Sequence, residues 1–244
     1  MNRDTLFQPG PDDTDAFRFD ERVTRVFGDM IVRSVPGYGQ SLAGIAGFAR
    51  LLMPEDSVCY DLGCSLGAAT LAVSQGLGER HATIIGIDNA PAMIAQCKRD
   101  SRLSTTSQTI RFMESDILDT PLEPCHLVIL NYTFQFIPPH ARETLLRTIY
   151  AALIPGGALI LSEKFTFDDV SVQKLMTQMH EDHKRANAYS ELEIAGKRAA
   201  LENVLIADSR TIHQQRLQAC GFSRVTLWHA QLTFGSFIAF RDPA

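Results

Sequence analysis

Long apolar runs are missing from this chain of 244 residues, because Asn131, Gln135 and charged residues interrupt every candidate for a membrane span. Cysteine is sparse: five residues, an odd number without a CxxC pair, are typical of reduced thiols in a cytoplasmic protein rather than of a disulfide framework. The first thirty residues contain no apolar block, so we expect no secretory signal. Basic charge is also in deficit, with 23 basic against 28 acidic side chains, which disfavours direct binding to nucleic acid.

The composition that remains is that of a globular protein. Apolar residues make up 45% of the chain and charged residues 21%, which is enough to build a sizeable core. Residues 1–18 are polar and contain Pro9, Gly10 and Pro11, so they predict a loose N-terminal arm. The length predicts one domain over residues 19–244.

Short apolar or β-branched runs alternate with helical patterns, which predicts an α/β fold with a doubly wound, seven-stranded and mostly parallel sheet. The last two runs are close together and predict a C-terminal antiparallel hairpin. A long polar helical stretch, residues 168–203, breaks the alternation and predicts a helical insertion that acts as a lid. The predicted strands are residues 57–61, 82–88, 109–113, 126–131, 158–163, 223–229 and 233–240.

A glycine-containing loop, residues 61–67 (DLGCSLG), directly follows the first predicted strand and opens a helix. Gly63 and the backbone of Cys64 and Ser65 would let a ligand approach closely, with the N–H groups of the helix start available to it. Asp88 ends the second strand, where a carboxylate can accept both ribose hydroxyls of an adenosine ligand, and Asn89 follows it. The alternative is a strand–helix turn without a ligand.

The charge of Asp61 discriminates between adenosine ligands. A dinucleotide would place its pyrophosphate against this loop and would be repelled by the carboxylate, whereas the ammonium of S-adenosylmethionine would be attracted. Asp61 therefore favours a sulfonium nucleoside over NAD. The alternative is an acid that only complements the dipole of the following helix.

Two further strand ends fit the same ligand. Asp116 follows the third strand and could accept the adenine amino group while Ile117 packs on the ring. Asn131 ends the fourth strand at the mouth of the crevice, where the reacting group would lie. Either polar residue could instead simply cap or close a turn.

The loop with Asp88 and Asp116 resembles class I S-adenosylmethionine-dependent methyltransferases. Longer motifs make the chain more closely similar to the bacterial carboxy-S-adenosyl-L-methionine synthase family, which shares Ser65 in place of the usual glycine. They are residues 3–7 (RDTLF), 19–23 (FDERV), 33–38 (RSVPGY), 60–71 (YDLGCSLGAATL), 87–94 (IDNAPAMI), 155–165 (PGGALILSEKF), 184–187 (KRAN), 189–194 (YSELEI), 201–204 (LENV) and 234–236 (FGS).

The resemblance implies a specific reaction. The family converts S-adenosyl-L-methionine and prephenate to carboxy-S-adenosyl-L-methionine and phenylpyruvate, which supplies the donor for wobble-uridine modification by a tRNA carboxymethyltransferase. It also implies a homodimer. The ligand contacts it implies are Tyr38, Gly63, Cys64, Ser65, Asp88, Asn89, Asp116, Ile117, Asn131 and Arg198.

Arg198 is the candidate catalytic residue. Its planar, permanently charged guanidinium suits a carboxylate on the transferred carbon, a group that an ordinary methyl donor lacks. The alternative is a solvated helix face shared with Lys197. Cys64 has no paired histidine, and we expect it to contribute its backbone N–H rather than a nucleophilic thiol.

No metal site is predicted, since His180 and His183 can share a helix face but the sequence suggests no third ligand. Three other functions stay open. They are a conventional small-molecule methyltransferase, a non-catalytic S-adenosylmethionine-binding partner of an RNA-modifying enzyme and, least favoured because of Asp61 and Ser65, an NAD oxidoreductase.

Overall fold

A computed structural model of the chain describes residues 2–7, 17–104 and 106–243. Its centre is one twisted sheet. The strands of this sheet are β1 (Ser57–Leu62), β2 (Ala82–Asp88), β3 (Thr109–Glu114), β4 (Cys125–Asn131), β5 (Leu153–Thr166), β6 (Asp208–Ser209), β7 (Arg224–Gln231) and β8 (Phe234–Phe240).

The strand order is β3-β2-β1-β4-β5-β8-β7, with β1 to β5 parallel and β8 antiparallel to both of its neighbours. This arrangement confirms the predicted doubly wound sheet with its C-terminal hairpin. The sequence missed β6, which has two residues and pairs with the end of β5, because a pair of residues has no periodicity. The order reverses between β1 and β4, and open α/β sheets bind their ligands outside the carboxyl ends of the strands at such a point.

Helices cover both faces of the sheet. They are α1 (Glu21–Ser34), α2 (Tyr38–Leu52), α3 (Ala68–Leu77), α4 (Pro91–Arg99), α5 (Ser101–Ser104), α6 (Pro139–Ala152), α7 (Val170–Ala186), α8 (Glu191–Leu201) and α9 (Arg210–Ala219). Ile45 of α2 and Val73 of α3 pack on one face, and Leu146 of α6 and Leu217 of α9 pack on the other. None of the helices within the described residues is long and apolar enough to cross a membrane.

The predicted insertion folds as α7 and α8. Helix α7 begins after Asp169, whose carboxylate accepts from the backbone N–H groups of Ser171 and Val172. Helix α8 begins with a capping box, in which Ser190 Oγ accepts from the N–H of Glu193 and the Glu193 carboxylate accepts from the N–H of Ser190. The YSELEI motif is therefore a helix start, which fixes the turn between the two helices.

The N-terminal segment is packed rather than loose over residues 2–7. Asp4 is 1% exposed, and its carboxylate accepts a 2.5 Å hydrogen bond from the hydroxyl of Tyr189. The backbone N–H of Asp4 donates to Asp29 on α1. The polar composition of residues 1–18 gave no indication that the Asp4 carboxylate is buried. Residues 8–16 of the predicted arm lie outside the described part of the chain.

Candidate active site

A cavity of about 1510 Å³ lies at the carboxyl ends of β1, β2 and β4. Helices α1, α2, α7 and α8 contribute to its wall. Typical small-molecule sites have volumes of roughly 300–1,000 Å³, so this cavity has room for a nucleoside and a second small substrate.

The backbone N–H groups of the glycine loop form hydrogen bonds within the chain. Those of Gly63 and Cys64 both donate to the carbonyl of Ile87, and that of Ser65 donates to the Asp88 carboxylate. The Cys64 N–H is thus committed within the chain, and its contact with a ligand stays a prediction. A loop without these donors is poorly suited to a pyrophosphate, which agrees with the choice of a cationic ligand end.

The backbone of the loop explains its residue types. Gly63 and Gly67 have φ near +75°, and Ser65 also lies in the left-handed region, at φ +49°. A Cβ on Gly63 would come within 2.2 Å of Thr133 Cγ2. Ser65 carries strain of roughly 1 kcal/mol or more, which its hydrogen bond to Asp88 helps to offset.

Asp61 lines the cavity and is 1% exposed. Its Oδ2 accepts from the N–H and the hydroxyl of Thr70, while Oδ1 has no hydrogen-bond partner among the described residues. Burial raises its pKa to about 6, against the opposing effect of the Thr70 donors. The alternative of a helix-capping acid thus accounts for one carboxylate oxygen, and the other remains available to a cationic donor.

Asp88 and Asn89 line the cavity beside the loop. Each Asp88 oxygen accepts one backbone N–H, from Ser65 and from Ala90, which holds the carboxylate in a fixed orientation. Burial raises the pKa of Asp88. Since a carboxylate has about four acceptor positions, two remain for ligand hydroxyls.

The other predicted contacts line the same cavity. Asp116 is exposed and accepts from the N–H of Leu118, whereas Ile117 is buried. Asn131 has a buried Oδ1 without a partner in the described parts of the chain. Tyr38 is buried at the start of α2, and burial together with the charge of Asp61 raises its pKa.

Arg198 is the exception. Its side chain is 69% exposed, and Nη1 lies 3.2 Å from Glu181 Oε1 instead of lining the cavity. The expectation that Arg198 lies over the sulfonium end is not met within one chain. Helical periodicity explains the difference, because it is the preceding residue, Lys197, that α8 buries at the cavity wall.

Sequence reasoning missed the cationic side of the cavity, formed by Lys164, Lys184 and Lys197 next to the neutral His180. A lysine at the end of an apolar strand was the signal available for Lys164. Lys184 and Lys197 lay within polar helices, where nothing in the sequence distinguishes a cavity residue from a solvated one. No group of three side chains able to hold a metal ion occurs in the described ranges, and His180 Nε2 lies 2.8 Å from the carbonyl oxygen of Ser34.

Comparison with known proteins agrees with this geometry. A family model described as a methyltransferase domain matches residues 59–157. Carboxy-S-adenosyl-L-methionine synthase of Erwinia tasmaniensis is 48% identical over 240 residues and covers 98% of both chains. The chain belongs to the carboxy-S-adenosyl-L-methionine synthase family. A second family member, from Salmonella arizonae, is 47% identical over 98% of this chain and 97% of its own.

Solved structures share the fold of this synthase family member at low sequence identity. An O-methyltransferase family protein of Burkholderia thailandensis has a TM-score of 0.67 and 14% identity, over 92% of this chain and 61% of that one. Human N-acetylserotonin methyltransferase in complex with SAM has a TM-score of 0.62 and 16% identity, over 91% of this chain and 55% of that one. These likenesses show the fold alone.

Proposed function

We propose that the protein converts S-adenosyl-L-methionine and prephenate to carboxy-S-adenosyl-L-methionine and phenylpyruvate. The near-complete coverage of a curated synthase at 48% identity is the observation that carries this proposal. The cavity supports it, because its volume suits two small substrates and it is acidic near the loop and cationic opposite.

The nucleoside is held by residues at four strand ends, those of β1 to β4. The free oxygens of Asp61 and Asn131 are buried acceptors that suit the ammonium of the amino acid end. Asp88 and Asn89 bind the ribose, and Asp116 and Ile117 bind the adenine. Tyr38 closes the site from α2.

In the proposed reaction the bond between the prephenate ring and its carboxyl group breaks, and the sulfonium methyl carbon, after loss of a proton, captures the carbon dioxide released. The ring hydroxyl of prephenate and the displaced methyl proton leave together as water, so atoms and charge balance. The protein orients the two substrates and excludes water beneath α7 and α8, which act as a lid. S-adenosyl-L-methionine supplies the methyl group, which its sulfonium makes acidic.

We further propose that the protein is a homodimer and that Arg198 holds the new carboxylate from a partner subunit. In one chain its guanidinium faces outward, away from the cavity of its own subunit. Helices α7 and α8 expose apolar side chains, among them Leu175, Met179 and Leu192, whose burial against a second copy would be favourable. An interface there would cover the outer surface that carries Arg198.

The product would serve a tRNA carboxymethyltransferase, and we place the protein in the cytoplasm, in agreement with five free, buried cysteines. We expect no direct contact with nucleic acid. The acidic balance of the chain supports this expectation.

Incubation of the purified protein with both substrates, followed by mass spectrometry of the nucleosides, tests the proposal. We expect a sulfonium nucleoside that has gained a carboxyl group, formed together with phenylpyruvate. Formation of S-adenosylhomocysteine with a methylated acceptor would indicate a conventional methyltransferase instead. Tight nucleoside binding without turnover would indicate a non-catalytic binding protein.

A further inference from the structure

Lys164 and Lys184 bring two ammonium groups to one wall of the cavity without a bound carboxylate. Neither side chain makes a hydrogen bond or an ion pair with any residue that the structure describes. Among the described residues the carboxylate that acts on Lys184 is Glu181, which is instead bound to Arg185 and Arg198. Unpaired, largely desolvated charges of the same sign oppose folding, so their retention calls for a function.

The sheet register places Lys164 near Asp61 and Asn131, which the proposed function assigns to the amino acid end of the nucleoside. Asp61 pairs with Ile129 across β1 and β4, and Asn131 pairs with Ser162 across β4 and β5. Side chains two residues apart share a face, so Asp61, Asn131 and Lys164 project from the same face of the sheet. Strand geometry puts the Cα atoms of Lys164 and Asn131 on the order of 8 Å apart.

Lys184 approaches the same region from the last turn of α7. Burial and the nearby positive charge of Lys164 together lower the pKa of Lys184 to about 8. Burial also lowers the pKa of Lys164. An anion between the two ammonium groups would relieve both effects.

The other two basic side chains of this wall, those of Lys197 and His180, have polar partners within the chain. Lys197 Nζ donates to Ser34 Oγ at 2.7 Å and lies 3.9 Å from Asp4. His180 contacts the carbonyl of Ser34, and burial lowers its pKa to about 3, so it is neutral. Only Lys164 and Lys184 among the described lysines of the cavity therefore offer uncommitted positive charge.

We propose that Lys164 and Lys184 form a carboxylate-binding subsite that positions the co-substrate beside the sulfonium methyl. The identity of that co-substrate as prephenate rests on the proposed function. Prephenate has two carboxylates, of which only the ring carboxylate is lost as carbon dioxide. Two ammonium groups stabilise a bound carboxylate and would oppose its loss, so the lysines hold the pyruvyl carboxylate, which is retained in phenylpyruvate.

Phenylpyruvate is the probe that tests this assignment, because it carries the pyruvyl carboxylate alone. The protein is saturated with S-adenosylhomocysteine, which has no transferable methyl group, and titrated calorimetrically with phenylpyruvate. We expect Lys164→Met and Lys184→Met each to raise the Kd by about tenfold or more, the value typical of a charged hydrogen bond. Lys184→Arg should restore part of the affinity.

The matched control is Lys174→Met, which removes an exposed lysine from the same helix. It should leave phenylpyruvate affinity unchanged. S-adenosylhomocysteine should bind all variants within about twofold of wild type, whereas a general loss of structure would weaken both ligands. Unchanged phenylpyruvate affinity in the Lys164 and Lys184 variants, a parallel loss of nucleoside affinity, or no binding by the wild type would overturn the subsite.

The pH dependence supplies an independent readout. The charged and titratable groups acting on Lys184 are Lys164, His180, Glu181, His183, Lys197 and Arg198. Phenylpyruvate affinity of the wild type should fall as the pH rises above about 8, because Lys184 loses its proton there. Lys184→Met should lack this decrease, and an identical profile in both proteins would contradict the assignment.

Different experimental results would reject the subsite and the proposed reaction. Lysine-dependent phenylpyruvate binding without carboxyl transfer from prephenate would retain the subsite and reject the reaction. Carboxyl transfer with lysine-independent phenylpyruvate binding would do the reverse.

Discussion

At the residue scale, the choice of ligand depends on which polar atoms the loop leaves free. The N–H groups of residues 63–65 are used internally, while a buried oxygen of Asp61 has no partner in the described ranges. A site that offers acceptors and withholds donors selects an ammonium over a phosphate. The sequence revealed the charge of Asp61 but could not reveal the committed donors, because backbone hydrogen bonds depend on the register of β2.

The pH dependence of nucleoside binding tests the role of Asp61. S-adenosylmethionine affinity of the wild type should fall as the pH drops through about 6, where the carboxylate becomes protonated. Asp61→Asn should weaken binding about tenfold at pH 8 and remove the dependence near pH 6. Asp119→Asn is the control, since this exposed acid does not line the cavity. Equal pH profiles for Asp61→Asn and wild type would refute the assignment.

The contribution of Asp61 to the free energy of unfolding changes with pH in the opposite direction to its contribution to nucleoside binding. A carboxyl whose pKa is raised in the folded state binds more protons there than in the unfolded chain, so its contribution to stability declines as the pH rises from about 4 to 6. Urea unfolding of wild type and Asp61→Asn across this range should show a steeper decline in the wild type, because Asp88 and Glu163, whose pKa values burial also raises, remain in both proteins.

Gly63 provides a steric test of the loop. Gly63→Ala combines a left-handed backbone with a contact of 2.2 Å to Thr133, so it should lower the free energy of unfolding by at least about 2 kcal/mol. Gly47→Ala is the matched control, because this helical glycine has open space at its Cβ and should gain up to about 1 kcal/mol. Similar urea midpoints for the two variants would contradict the described loop geometry.

At the element scale, the N-terminal segment holds helices α7 and α8 in place. Asp4 accepts from Tyr189 in the turn between α7 and α8, and Arg33 of α1 donates to the carbonyls of Asn187 and Ala188. These contacts connect RDTLF, RSVPGY, KRAN and YSELEI, four motifs that are far apart in sequence. The motifs could be recognised from the sequence, but their meeting point could not, since it depends on how α1 packs.

Removal of one hydroxyl tests this connection. Tyr189→Phe should lower the free energy of unfolding by about 1.5–3 kcal/mol, because it removes a hydrogen bond to a buried carboxylate. Tyr150→Phe is the control, since the described residues offer its hydroxyl no hydrogen bond. Hydrogen exchange should increase in α8 for Tyr189→Phe alone, and unchanged exchange there would contradict the connection.

The regular elements were predicted well for a physical reason. Apolar runs such as 82–88 and the periodic helices repeat their signal over many residues, so the doubly wound sheet and its C-terminal hairpin followed from them. The cavity residues Lys164 and Lys184 carry no repeating signal. Only the packing of the sheet against α7 shows that they line the cavity rather than face bulk solvent.

At the scale of the whole molecule, one subunit leaves Arg198 outside its own cavity. The proposed dimer predicts complementation between two inactive variants, Arg198→Ala and Asp88→Ala. In a purified heterodimer one site has its own Asp88 and the partner's Arg198, so about half of wild-type activity should return. Absence of recovery in a verified heterodimer would assign Arg198 to its own subunit or to no catalytic role.

Transfer of a carboxyl carbon to S-adenosylmethionine is tested most directly by a single turnover with prephenate labelled at its ring carboxyl with ¹³C. We predict that the label appears in the sulfonium nucleoside, even when unlabelled bicarbonate is present in excess, because the cavity retains the carbon dioxide. Label found only in dissolved carbon dioxide, with an unlabelled nucleoside, would contradict this account.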